Sequence, residues 1–205
     1  MEAINEPMVE YGLAKHAHVG EGESGDLHMV CCNQSGVLIA VIDGIGHGEE
    51  AAEVAKTAAA VLRSSADEPV ISLVELCHEK LKGTRGAVLS LAFISPEQKM
   101  MTWIGVGNVQ GVLVRADTKR GNIQESLLLR GGVVGSKLPS LQASVLPVSQ
   151  GDAVVFATDG IQSDFSTGLS ARENPQRAAD RILNKFRNRS DDALVLVARL
   201  TGINP

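Results

Sequence analysis

The chain has 205 residues, a formal net charge of −5 and an apolar fraction of 44%. That length suits a single unit, residues 1–205, with enough chain to bury a substantial core. Scattered Lys and Arg, with one Trp and one Tyr, exclude the basic, aromatic-rich surface of a nucleic-acid binder, and no apolar run is long enough for a membrane span.

The opening segment Met1-Glu2-Ala3-Ile4-Asn5-Glu6-Pro7 has no signal-peptide pattern. Cys31, Cys32 and Cys77 are odd in number and two are adjacent. This argues against a disulfide framework and for a cytoplasmic location. No Cys-x-x-Cys spacing exists, so the three read as small core residues.

Along the chain, the first informative segment is Ser24-Gly25-Asp26. The apolar run at residues 37–42 predicts a buried strand that ends on Asp43-Gly44-Ile45-Gly46-His47-Gly48. A helix follows, with Ala51, Ala55, Ala58 and Leu62 on one stripe. A second helix follows Pro69 and carries Val70, Leu73, Val74, Cys77 and Leu81 on one face, with Gly83 as its stop. Residues 87–94 predict a strand, residues 95–98 a turn, and residues 100–105 a hairpin partner. Residues 109–115 and 126–130 continue the pattern as further strands of one antiparallel meander. The segment Gly131-Gly132-Val133-Val134-Gly135-Ser136-Lys137-Leu138-Pro139 is apolar and loop-like, either a partner surface or a buried turn.

Residues 153–157 predict a strand running into Thr158-Asp159-Gly160. A third helix starts at Asn174-Pro175, a cap followed by proline at the first helical position. Its buried face holds Ala178, Ala179, Ile182, Leu183 and Phe186. Asp191-Asp192 precedes a last buried strand at residues 193–197. Runs of strands beside runs of helices predict an α+β layered sandwich, with two mainly antiparallel sheets facing each other and helices outside.

Four acidic signatures thus recur, at least three of them where an apolar run meets a turn. A carboxylate at a strand end is held rigidly and still faces a cleft. Several together make an all-oxygen site for hard divalent cations. No lysine or arginine sits in the four signatures, so cations are the better answer to their mutual repulsion. Gly44, lacking a side chain, lets its backbone carbonyl approach an ion. Two ions bridged by a carboxylate and a water would drive an in-line displacement with no serine or cysteine nucleophile. A lone Asp-Gly is a common turn dipeptide. The signal here lies in the fourfold recurrence.

In order, Gly25-Asp26, Asp43-Gly44-x-Gly-His47-Gly48, Arg85-Gly86-Ala87, Gly105-x-Gly107-Asn108, Thr158-Asp159-Gly160 and Asp191-Asp192 resemble the metal-dependent PPM/PP2C protein serine/threonine phosphatases. The resemblance is strongest to the bacterial branch that controls stress and sporulation sigma factors. It implies a four-layer α-β-β-α sandwich and two ions, Mn²⁺ or Mg²⁺. It further implies that Asp43 bridges both ions and that the Gly44 carbonyl and Asp26 serve the second. Asp159 and Asp191 would hold the first, with Asp192 as the alternative to Asp191, because alternation along a strand points only one of them inward. The short single-domain form and the segment Arg130-Gly131-Gly132-Val133-Val134-Gly135 look like the branch member that resets a stressosome. The implied partners are phosphorylated STAS-domain scaffold proteins, with neither nucleic acid nor membrane. Two alternatives remain: a phosphorylated anti-sigma-factor antagonist as substrate outside a stressosome, or a catalytically weak, phosphoprotein-binding pseudophosphatase. The intact acidic set argues against the last.

Other residues carry weaker signals. His47 reads as a brace for the helix start rather than a general acid. His16, His18, His28 and His78 have no site-like spacing. Asp164 is a third-ion ligand or a solvated loop acid, the second reading being favoured. Arg85 and Arg130 are contacts for phosphate or partner, or surface salt-bridge residues. Asn108 stands where many relatives carry histidine, pointing to a different substrate environment.

Overall fold

A computed structural model describes residues 8–17, 23–117, 124–188 and 191–202. His18 and residues 1–7 lie outside the described residues.

Among the described residues, ten strands and three helices follow in order: β1 (Val9–His16), β2 (Asp26–Cys32), β3 (Val37–Gly44), α1 (Gly48–Ser64), α2 (Val70–Leu81), β4 (Ala87–Ser95), β5 (Met100–Val106), β6 (Gln110–Val114), β7 (Gln124–Ser126), β8 (Ser144–Pro147), β9 (Ala153–Ala157), α3 (Pro175–Phe186) and β10 (Ala193–Leu200). They form two five-stranded sheets, ordered β1-β10-β9-β6-β7 and β2-β3-β4-β5-β8. Every strand pair is antiparallel.

The expected four layers are present, and alternation explains why the inner strands read as unbroken apolar runs. On β3, Leu38, Ala40 and Ile42 face α1 and α2, while Val37, Ile39 and Val41 face the other sheet. On β10, Leu194 and Leu196 face that same gap, while Ala193, Val195 and Val197 face α3. The alanine stripe of α1 is fully buried. Its small side chains let the helix approach so closely that a Cβ on Gly44 would lie 2.1 Å from the Ala51 carbonyl oxygen. Asn174 caps α3 by accepting the Arg177 N–H, with Pro175 in the first turn.

Two expectations need correction. The strands after α2 do not form one meander: β5 belongs to one sheet and β6 to the other. Gly107, with φ of +98°, makes the turn between them. Of residues 126–130 only Ser126 is in a strand. The rest crosses between the sheets, Leu127 N–H donating to Gly111 and Arg130 N–H to Gly105. The segment from Gly131 is tucked in at its middle and exposed at Gly131, Ser136 and Lys137. Val134 is buried and pairs with Ala87, and Gly135 N–H donates to His78 Nδ1.

Candidate metal centre

The acidic residues meet at one end of the gap between the sheets. Asp43 follows Val41 on the inward parity of β3, and Asp26 stands opposite it in register on β2. Gly44 N–H donates to the Gly25 carbonyl at 3.1 Å, which makes Gly25–Gly44 the hydrogen-bonded pair. The neighbouring Asp26–Asp43 pair is therefore the closer, non-hydrogen-bonded kind, with Cα atoms about 4.5 Å apart and both side chains on one face. Two carboxylates are pressed together there by register alone.

The facing sheet supplies the rest. Thr158 directly follows β9, and its hydroxyl donates to Asp26 Oδ2 at 2.8 Å while accepting Leu194 N–H at 2.9 Å. Asp192 Oδ2 accepts Gly25 N–H at 2.7 Å. These bonds stitch the two sheets together beside the site. Asp159 lies at the mouth, its Oδ2 accepting from Asn108 Nδ2 at 2.8 Å. Gly160 lets the β9 turn pass against the start of β10: a Cβ there would sit 1.8 Å from the Asp192 carbonyl oxygen.

Charge is concentrated accordingly. Burial, and then Asp26, Asp159, Asp191 and Asp192, push Asp43 up to about 9. Burial pushes Asp26 up to about 7; the Thr158 bond opposes this, and Asp192, Asp159 and Asp191 add to it. Asp159 is raised by burial and then by Asp191, with the Asn108 bond working against both. The charges acting on these groups are thus other carboxylates. An oxygen-only donor set of this kind, compressed and with no cationic partner among the described residues, suits a hard divalent cation. Among the described residues, no three acid, imidazole or thiol side chains enclose an ion as they lie. Asp26, Asp159 and Asp192 are each turned onto a hydrogen-bond partner.

The structure therefore gathers Asp26, Asp43, Gly44, Asp159, Asp191 and Asp192 at one end of the fold. It alters the parity argument for the last pair. β10 begins at Ala193, so Asp191 lies in the bend ahead of it and strand alternation does not govern it. Asp192 is the buried one and is used in tying down Gly25. Asp191 is partly exposed and acts electrostatically on Asp159.

The weaker candidates fall elsewhere. His47 occupies the N-cap position of α1 without a side-chain capping bond, so it does not brace the helix in that way. Arg85 pairs with Glu50 at 2.5 Å on the surface, and Arg130 donates to Gln142. Asp164 is an exposed acid on a 3-10 turn, Ser163–Ser166. Two further residues support the centre in roles the motifs alone do not give: Thr158 holds Asp26, and Asn108 steers Asp159. A hydroxyl and an amide flanking strand-end acids were the available signals.

A double antiparallel sandwich with helices outside and an acidic set at one end of the inter-sheet gap defines the PP2C class of protein phosphatases. The family model described as Stage II sporulation protein E (SpoIIE) matches residues 33–201, and the chain belongs to that family. It is 26% identical over 184 residues to the phosphoserine phosphatase RsbX of Bacillus subtilis (strain 168), covering 88% of this chain and 90% of that one. A solved structure described under "The bacterial stressosome: a modular system that has been adapted to control secondary messenger signaling" superposes with a TM-score of 0.84 at 30% identity, covering 94% of this chain and all of that one. RsbX in complex with magnesium superposes with a TM-score of 0.83 at 24% identity, covering 94% and 96%. The protein is a PP2C-type phosphoprotein phosphatase, similar to RsbX.

Proposed function

We propose that the protein removes phosphate from serine or threonine of phosphorylated STAS-domain scaffold proteins of a stressosome, in the cytoplasm, and so resets a stress signal. It does so as one phosphatase domain over residues 1–205 with two Mn²⁺ or Mg²⁺ ions. The observation that carries this reading is the Asp26–Asp43 pair, forced together by strand register and acted on, among the described residues, by further carboxylates. Asp43 would lie between the ions, Asp26 and the Gly44 carbonyl on one, and Asp159 and Asp191 on the other. When bound, the ions supply an activated water and neutralise charge on the phosphoryl group.

The chain's own residues prepare that centre. Thr158 fixes the rotamer of Asp26, Asn108 orients Asp159, and Asp192 anchors the Gly25 turn that carries Asp26. Support for the partner class comes from the RsbX relative and from the stressosome-related structure.

The test is intact-mass analysis of phosphorylated STAS-domain proteins incubated with the enzyme and Mn²⁺, alongside hydrolysis of p-nitrophenyl phosphate. Asp43→Ala and Asp159→Ala are expected to abolish both activities and leave the fold intact, since removing one of several crowded carboxylates relieves repulsion. A folded variant with near-full turnover would refute the metal assignment.

A further inference from the structure

A groove opens beside β6, between the crossing segment at residues 127–129 and the 3-10 turn Ser163–Ser166. Asn108, the residue that holds Asp159, forms its inner end, so the groove is continuous with the acidic centre. Gln124 Nε2 donates to the Ser166 carbonyl at 3.0 Å, tying the turn to β7. Its polar lining comes from Asn108, Gln110, Ser126, Ser163 and Ser166, and Leu129 adds an apolar wall. Among the described residues that line it, none has a charged side chain.

A phosphorylated residue in a protein substrate brings its polypeptide with it, and that polypeptide must leave the centre along the surface. Amides and hydroxyls both donate and accept, which matches the N–H and C=O that every peptide residue presents. Another depression, beside the loop after Asp43, has Glu49, Glu50, Glu53, Thr84 and Arg85 in its lining. Its one cation is already paired with Glu50. Three carboxylates there disfavour acidic polypeptide and leave the backbone few acceptor-donor partners.

Resting on the phosphatase reading above, we propose that the groove at β6 seats the polypeptide flanking the phosphorylated residue and selects flanks without charge. The neutral lining gives a charged flank no partner for the solvation it loses there.

Phosphoserine peptides of equal length with neutral, acidic or basic flanks, and p-nitrophenyl phosphate, would be compared by kcat/KM in Mn²⁺. The wild type should favour neutral flanks. The double variant Ser126→Lys/Ser163→Lys changes two exposed positions, so folding is expected to hold and is checked by circular dichroism. Normalised to p-nitrophenyl phosphate, its preference should swing toward acidic flanks by about fivefold, as one or two exposed ion pairs allow. Fluorescence anisotropy of the labelled acidic-flank peptide should show tighter binding by a similar factor. A folded variant with the wild-type ranking of peptides, or a wild type indifferent to flank charge, overturns the groove assignment. A wild type that hydrolyses none of the four substrates overturns the phosphatase reading itself.

Discussion

At Thr158 one hydroxyl serves both sheets, donating to Asp26 on one and accepting from Leu194 on the other. Thr158→Val keeps the shape and removes both bonds, leaving a buried N–H and a buried carboxyl oxygen unpaired. The expected loss is about 1–3 kcal/mol of stability, read by urea denaturation, together with weaker Mn²⁺ binding by calorimetry. Unchanged stability would mean that the hydroxyl is dispensable. Protons act at the same scale. Asp26 and Asp43 hold theirs to about 7 and about 9 when folded, against 3.8 as the ordinary value. The native chain therefore binds more protons than the unfolded chain between those limits. The stability these groups contribute at acid pH is lost as pH rises through that window. A divalent cation replaces the protons and is favoured where they leave. The rise in Tm on adding Mn²⁺ should be larger at pH 8 than at pH 5, and an equal rise at both would contradict the assignment.

Among the elements, what could be read from sequence depended on depth. β3, β4, β9 and β10 have core on both faces and so announce themselves as apolar runs, and the helix stripes did the same. β1, β2 and β8 were not anticipated. Each is a sheet edge with mixed burial, and Glu10, Lys15, His28 and Pro147 break the apolar pattern. The sheet change between β5 and β6 was hidden because a turn signal at Gly107 gives no direction in space. Asp43, Asp159 and the Asp191-Asp192 pair were legible because a buried strand ends or begins beside each, whereas Asp26, at the start of an edge strand, was legible only through its motif. Which of Asp191 and Asp192 turned inward was not, since that depended on where β10 begins. The contact between the β9 turn and β10 gives a sharp test. Gly160→Ala would drive a methyl against the Asp192 carbonyl, which backbone movement alone can relieve. A loss of about 4 kcal/mol or more by denaturant titration, with loss of turnover, is expected; a neutral substitution would show that the two segments yield easily.

For the molecule as a whole, three packed cores hold a centre that belongs to none of them. Cysteine chemistry has no part in it: Cys77 is buried in the core under α1 and α2, and burial pushes its thiol up to about 12. EDTA should therefore abolish turnover and Mn²⁺ restore it, while alkylation of exposed Cys32 in folded protein leaves turnover intact. Inactivation by alkylation of folded protein would point to a thiol nucleophile instead. The bond from Gly25 to Asp192 joins positions 167 residues apart, and Thr158 reaches back 132 residues to Asp26. A chain growing on a ribosome can fold α1 and α2 early, yet it has no complete centre until β10 has emerged and docked. The onset of activity is thus timed by the emergence of β10, and a nascent copy that still lacks that strand, or one truncated before it, is catalytically silent.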